Sequence, residues 1–282
     1  MLEIIKVIIL GIIEGITEWL PISSTGHMIL AEQFLKLEVS EAFWQMFVVV
    51  IQFGAILAVI LIYFRRLWPF HRKDPSKAGV YQVISRKKLV MWAKILVSCI
   101  PAIVIGVPLD NWIEAHFYNY VTVALMLIIY GVLFIFVENR NKSLKPSIGS
   151  IAQIDWGTAL FIGLFQVLAL IPGTSRSGAT ILGGIVLGMT RKTASEYTFF
   201  LAVPVMLGAS LLKIFKFGFH FTGYEVGILL LGMAVAFVVS IFAIKFLMKY
   251  IKNHDFKVFG WYRIVLGIVV ILYFAISSAL AA

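Results

Sequence analysis

The stretch "EGITEWLPISSTGHMIL", residues 14–30, decides the fold because it places polar chemistry inside an apolar run. The flanking residues are apolar enough for a bilayer, yet the stretch holds two acids, a histidine and a run of three consecutive hydroxyl side chains. These are Glu14, Glu18, Ser23, Ser24, Thr25 and His27. A break in helical backbone at membrane depth is tolerated only inside protein or beside a water-filled cavity. The stretch therefore predicts a polar site enclosed within a membrane protein.

The composition of the whole chain is that of an integral membrane protein. Of its 282 residues, 61% are hydrophobic and 13% are charged, whereas soluble domains contain about 25% charged residues. The net charge of +10 comes from basic residues in short segments between apolar spans, where such residues set membrane orientation. Nucleic acid is therefore not expected as a partner. The single cysteine, Cys99, lies in an apolar run, so a disulfide framework is excluded.

Hydropathy predicts an all-α polytopic membrane protein with six transmembrane helices. A spanning helix needs about 20 apolar residues. The predicted spans are about 43–64, 92–109, 120–138, 196–214, 224–247 and 259–280. Two further apolar regions, about 1–36 and 156–190, are interrupted by Pro, Gly, Ser and Thr. We interpret both as re-entrant helix–loop–helix pairs; the alternative is ordinary spans joined by surface loops.

The basic segments predict how the chain is oriented in the membrane. Lys and Arg are enriched in cytoplasmic loops, so we expect the segments at 65–91, 139–150 and 248–258 on the cytoplasmic side.

The two interrupted regions resemble each other, which indicates an internal repeat. Residues 11–30 align without gaps to residues 163–182. The matched pairs are Gly11 with Gly163, Glu14 with Gln166, Ser23 with Ser175, Ser24 with Arg176, Thr25 with Ser177 and Gly26 with Gly178. Three spans follow each copy, so the second copy enters the membrane inverted. We expect one membrane domain over 1–282, with repeats of about 1–150 and 151–282, as in transporters that bind at the midplane.

The first copy supplies acids, a hydroxyl and a base. Glu14 and Glu18 share one helix face, and adjacent carboxylates in apolar surroundings hold a cation, share a proton or face an arginine. The alternative is that both point into an aqueous headgroup layer. Ser24 and His27 lie three residues apart at the start of a predicted helix, where an imidazole could accept the serine proton. The alternative for this pair is an N-cap serine beside a packing histidine.

The second copy, "PGTSRSGAT" at residues 172–180, predicts an anion cradle. Arg176 lies among hydroxyl side chains, and backbone N–H groups at the start of the next helix point to the same place. The planar guanidinium suits a phosphate because it donates two parallel hydrogen bonds. The alternative is that Arg176 pairs only with Glu14 or Glu18.

These two motifs together resemble the undecaprenyl-pyrophosphate phosphatase family, the bacitracin-resistance type of membrane phosphatase. The resemblance covers essentially the whole chain and implies hydrolysis of undecaprenyl pyrophosphate to undecaprenyl phosphate and inorganic phosphate. It implies a multi-pass protein of the bacterial inner membrane whose active site faces outward, and a divalent cation, Mg²⁺ or Ca²⁺. The lipid carrier would thereby be recycled for cell-wall synthesis, with resistance to bacitracin.

The resemblance and the residue chemistry together give each candidate residue a role. Glu14 and Glu18 would bind the cation, and Arg176 would hold the diphosphate. Ser24 would attack phosphorus with His27 as general base, unless His27 or the acids activate a water directly. The remaining predicted substrate contacts are Ser23, Thr25, Gly173, Ser175, Ser177 and Thr180.

A function from a different class remains open on the sequence alone. An inverted repeat with charges at the midplane is also typical of a secondary transporter or a flippase of polyprenyl phosphate. The sequence does not separate a monomer from a homodimer.

Overall fold

The computed structural model describes residues 1–71, 80 and 83–281, and its regular elements there are helices. The α-helices are α1 Leu2–Thr17, α2 Ser24–Leu35, α3 Glu41–Ile62, α4 Phe64–Leu67, α5 Arg86–Phe117, α6 Tyr120–Asn141, α7 Trp156–Val167, α8 Arg176–Val186, α9 Arg191–Phe217, α10 Gly223–Tyr250 and α11 Lys257–Ala281. Part of the basic segment 65–91, including Arg72, Lys73 and Lys77, lies outside the described residues.

Six of these helices are long and apolar enough to cross a bilayer, as the sequence predicts. They are α3, α5, α6, α9, α10 and α11, and the chain is a multi-pass membrane protein. Several helices extend beyond the predicted apolar limits. For example, α5 begins at Arg86 and α9 at Arg191, where Thr190 accepts a cap hydrogen bond from Thr193 N. Hydropathy locates the apolar centre of such a helix, whereas caps and flanking charged turns set its ends.

The two ends of the first short pair, α1 and α2, lie together. Lys6 Nζ donates to the carbonyl of Lys36 at 2.9 Å, and Glu38 N donates to Glu3 Oε2 at 3.0 Å. The start of α1 therefore lies beside the end of α2.

The second short pair, α7 and α8, folds back in the same way. The segment before α7 bonds to the segment after α8, because Ser147 N and Ile148 N both donate to Gly188 O and Thr190 N donates to Ile148 O. Three long helices separate the two pairs, and each begins near the end of the one before it.

Glycine allows the long helices to approach one another closely. Helix α10 packs against both α1 and α3. At Gly54 on α3, an added Cβ would overlap the main-chain atoms of Met233 on α10. Small residues at such crossings bring backbones together where lipid offers no hydrophobic drive for association. Gly54 thus fixes the spacing between α3 and α10.

We expect Gly54→Ala to lower the thermal unfolding temperature of the purified protein in detergent by several degrees, because overpacking costs about 1–3 kcal/mol. The matched control is Gly227→Ala on α10, where an added Cβ meets nothing within 4 Å. Alanine there should leave the unfolding temperature unchanged or raise it, since alanine favours helix over glycine. Equal effects of the two substitutions would show that the crossing at Gly54 is not tight.

Candidate active site

The two interrupted motifs fold into loops with the same unusual backbone. Ser23 has φ 75° and Ser175 has φ 70°, and these are the non-glycine residues with positive φ in the described part of the chain. Each serine caps the following helix: Ser23 Oγ accepts from Gly26 N at 3.2 Å, and Ser175 Oγ accepts from Gly178 N at 3.1 Å. A left-handed serine is uncommon and persists only where its surroundings hold it in place. Equivalent positions of the two motifs thus carry the same local constraint.

A buried arginine on α11 joins the tips of the two loops. Arg263 is fully buried and donates to the carbonyls of Pro21 (3.2 Å), Gly173 (2.9 Å) and Thr174 (2.9 Å). Pro21 belongs to the first loop and the other two carbonyls to the second. Our sequence reasoning missed this residue. The available signal was an arginine inside the predicted span 259–280, since an ionisable residue within a span has a partner or a function by default.

The charged centre lies where the loops meet, as the two motifs predict. Glu18 Oε1 accepts from Arg176 Nη2 at 3.0 Å, and Glu18 Oε2 accepts from Ser24 Oγ at 2.8 Å. Arg176 Nη1 donates to Thr198 O at 3.0 Å, which fixes the other side of the guanidinium. The Glu18 and Arg176 side chains are only 8% and 11% exposed, so water screens this ion pair weakly. Together they form a buried chain of contacts from Ser24 through Glu18 to Arg176.

Glu14 lies one helical turn before Glu18 and is fully buried, with no hydrogen-bond partner for either carboxylate oxygen. A buried carboxylate without a partner is costly, so a proton or a cation must compensate it. Its counterpart in the second motif, Gln166, is also buried without partners for its amide atoms. Among the described residues, no cluster of three or more His, Cys, Asp or Glu side chains occurs that could hold a metal ion. A cation at Glu14 and Glu18 would therefore need ligands from water or substrate.

Ser24 contacts Glu18 rather than His27 in this conformation, and the proton transfer from Ser24 to His27 stays a prediction. Ser24 Oγ donates to Glu18, while His27 Nδ1 lies 2.7 Å from Ser23 O and Nε2 lies 2.7 Å from Tyr262 Oη. A carboxylate is the stronger acceptor because the hydrogen bond to it is charge-assisted. Both ring nitrogens of His27 already have partners. Glu18 is therefore the hydrogen-bond acceptor for Ser24 Oγ, a role that the sequence assigned to His27.

The predicted phosphate contacts divide into two groups. Thr25 lines a cavity beside the loops. By contrast, Ser177 Oγ donates to Glu18 O at 3.0 Å, and Thr180 Oγ1 donates to Arg176 O at 2.9 Å. Gly173 has φ 92°, and a Cβ there would lie 2.6 Å from Val123 O. In this conformation Ser177 joins the two loops, Thr180 bonds within α8 and Gly173 packs against α6. The serines Ser23 and Ser175 each cap their own helix.

Two cavities adjoin the loop tips and differ in polarity. The larger, about 400 Å³, is lined by Thr25 and Pro172 from the loops and by Glu32, Glu41 and Lys213. It lies at the end of the bundle where α3 begins and α5 and α9 finish. The smaller, about 260 Å³, places His27 among apolar side chains of α1 and α2, namely Ile13, Leu30, Ala31, Phe34 and Leu35. The loops therefore lie between a polar opening and an apolar one.

The left-handed backbone at Ser23 predicts an unusual order of substitution effects. Ser23→Ala should lower the unfolding temperature in detergent, because loss of an N-cap costs about 0.5–2 kcal/mol. Ser23→Gly should cost clearly less, because glycine adopts positive φ freely and is an acceptable cap. The control is Ser40, which caps α3 with φ −62°. The gap between alanine and glycine should be larger at Ser23 than at Ser40, and equal gaps would contradict the argument.

Comparison with known proteins identifies the family of this chain. The family described as "Bacitracin resistance protein BacA" matches residues 7–269. A protein named "Undecaprenyl-diphosphatase 1" from Clostridium acetobutylicum is 59% identical over 276 residues, covering 98% of each chain. "Undecaprenyl-diphosphatase" from Desulfitobacterium hafniense is 60% identical over 276 residues, covering 98% of this chain and 97% of that one. "Undecaprenyl-diphosphatase" from Enterococcus faecalis is 57% identical over 275 residues, with 98% of each chain covered. The chain therefore belongs to the BacA family of bacitracin resistance proteins.

Proposed function

We propose that this protein hydrolyses undecaprenyl diphosphate to undecaprenyl phosphate and inorganic phosphate. One observation carries the proposal: a chain of this family holds a serine, a carboxylate and an arginine in one buried line of contacts between its loops. Relatives at 57–60% identity are named for this activity. Hydrolysis would recycle the lipid carrier for cell-wall synthesis, and the family name links this activity to bacitracin resistance.

In the first step, Ser24 Oγ attacks the terminal phosphorus while its proton passes to Glu18. The bond from that phosphorus to the bridging oxygen breaks, and undecaprenyl phosphate departs with the electron pair. Arg176 leaves Glu18 to pair with the phosphoryl oxygens, where a guanidinium stabilises the charge that develops. The contacts of Glu18 support this step, because Glu18 already accepts hydrogen bonds from both Ser24 and Arg176.

In the second step, water attacks the phosphoserine, and inorganic phosphate leaves as Ser24 Oγ regains its proton from Glu18. We assign His27 Nε2 as the acceptor of the proton that this water loses. His27 follows Ser24 by one turn of α2, and its Nδ1 faces a carbonyl, so Nε2 is the nitrogen able to take a proton. The Tyr262 hydroxyl lies 2.7 Å from Nε2 and passes it the proton that the water loses. Direct attack of water on the diphosphate is the alternative path, with the same residues around the phosphorus.

A divalent cation, Mg²⁺ or Ca²⁺, fits the acids of the first loop. Glu14 presents two buried oxygens without partners one turn from Glu18, and hard cations take oxygen ligands. Mg²⁺ in particular is commonly held by one or two carboxylates together with substrate phosphates. When bound, the cation would neutralise part of the charge on the diphosphate.

We also propose that both short helix pairs are re-entrant and that the chain is an inverted repeat. The support is geometric. The ends of each pair are bonded to each other, three long helices separate the pairs, and the two loops share a left-handed cap serine. The polar cavity at the loops opens at the end of the bundle away from the basic segments. By the positive-inside rule, that end faces out of the bacterial inner membrane.

Purified protein in detergent should release inorganic phosphate from undecaprenyl diphosphate, and EDTA should reduce the rate, with Mg²⁺ or Ca²⁺ restoring it. A colorimetric phosphate assay measures both. Detergent abolishes vectorial transport but spares hydrolysis. A protein that releases no phosphate there, yet moves polyprenyl phosphate across vesicle membranes, would be a flippase instead.

Glu18→Gln, Ser24→Ala and Arg176→Lys should each lower kcat by at least about 100-fold. They remove, respectively, the proton acceptor, the attacking oxygen and the planar guanidinium that donates two hydrogen bonds to the phosphoryl oxygens. Ser143→Ala and Arg140→Lys are the controls, since both residues are exposed at the opposite end of the bundle. The unfolding temperature of each variant separates loss of chemistry from loss of fold. Wild-type turnover in any of the three would remove that residue from the mechanism.

The covalent path makes a separate prediction about Ser24. Acid quenching during turnover of substrate labelled in its terminal phosphate should leave label on the protein, and peptide mapping should place it at Ser24. Label should be absent from Ser24→Ala. If quenched wild-type protein carries no label at any time point while turnover proceeds, water attacks the diphosphate directly.

A further inference from the structure

We propose that Tyr262 is a positioning residue for this reaction, and the inference rests on the function proposed above. Its hydroxyl holds the imidazole of His27 in one orientation. Tyr262 Oη lies 2.7 Å from His27 Nε2, and the two rings are parallel within 8° at 5.6 Å between centroids. The two residues come from α11 and α2, so the contact spans the two repeats.

The tautomer of His27 follows from its other neighbour. His27 Nδ1 lies 2.7 Å from the carbonyl of Ser23, and a carbonyl only accepts hydrogen bonds. Nδ1 therefore carries the proton in neutral imidazole, and Nε2 presents a lone pair. A phenolic hydroxyl both donates and accepts, so Tyr262 donates to neutral His27 and accepts from the imidazolium. The tyrosine thus matches both protonation states that a base passes through.

The position of Tyr262 explains why a hydroxyl is needed there. Apart from its two hydrogen bonds, His27 faces apolar side chains of α1 and α2 such as Ile13, Leu30 and Phe34. Those neighbours offer Nε2 no polar contact, so the Tyr262 hydroxyl is the group that fixes the direction of Nε2. The next residue on α11, Arg263, ties the two loop tips together. One dipeptide of α11 therefore positions both the loops and the imidazole.

The test is Tyr262→Phe, which removes the hydroxyl and keeps the ring that stacks on His27. We expect kcat to fall about tenfold with KM unchanged, because one hydrogen bond to the base is lost while the substrate contacts remain. The matched control is Tyr273→Phe on the same helix, where the ring meets Phe34 of α2 edge-on. That substitution should leave kcat unchanged.

Two readouts distinguish positioning from a structural role. In ¹⁵N NMR of the full chain in detergent, with the His27 signals assigned by their loss in His27→Gln, wild type should show one Nδ1–H tautomer. Tyr262→Phe should keep that tautomer, because the Ser23 carbonyl sets it, but its Nε2 signal should shift because the hydrogen bond to Nε2 is lost. In the His27→Gln background, Tyr262→Phe should have no further effect on kcat. An unchanged Nε2 signal, an unchanged kcat, or additive losses in the double variant would each overturn the proposal. The NMR result does not depend on turnover, so failure of the proposed function would appear separately, as wild type that releases no phosphate.

Discussion

The structure depends on one buried arginine side chain that joins two loops through hydrogen bonds to their main-chain carbonyls. Arg263 has no exposed surface, and it donates to carbonyls of both loops and to Met126 O on α6. Backbone that leaves helical geometry at membrane depth has carbonyls without partners, each costing several kcal/mol in lipid. A guanidinium with five donors satisfies several at once, whereas a lysine offers three donors from a single nitrogen. The loops meet because their broken helices supply the acceptors that this arginine needs.

The joined loops share a backbone but differ in charge, and that difference creates the chemistry. The first loop supplies Glu14 and Glu18, and at equivalent places the second supplies Gln166 and Arg176. Without substrate, Arg176 and Glu18 neutralise each other in a site where an unpaired charge would be costly. In the mechanism proposed above, a diphosphate offers the arginine a better partner and frees the carboxylate beside Ser24. The ion pair would then both neutralise buried charge and prepare a base for the serine.

The sequence predicted what hydropathy and motif chemistry determine, and it failed where tertiary packing decides. Long apolar runs define the six spans, and Pro, Gly and Ser clusters mark the breaks, so both were visible before folding. The hydrogen-bond partner of Ser24 was not visible in the sequence. Ser24 and His27 are spaced i, i+3 on a helix, but they need not contact each other when the Glu18 carboxylate competes for the hydroxyl. The contact between Tyr262 and His27 crosses 235 residues. Glu138, which accepts hydrogen bonds from Arg191 Nε and Phe256 N, likewise joins helices far apart in sequence.

The placement of the loops reconciles two requirements of a lipid diphosphate. Its polyprenyl tail is stable only in hydrocarbon, at about 0.8 kcal/mol per buried CH₂, while its headgroup carries charge that lipid excludes. An enzyme at the membrane surface would have to pull part of the polyprenyl tail out of the hydrocarbon. An enzyme whose site lay at the bilayer centre would have to bring the charged headgroup into the hydrocarbon. Loops that end between a polar cavity and an apolar one avoid both costs. His27 borders the apolar cavity and Thr25 the polar one, so the bond to be cleaved would lie where the two environments meet.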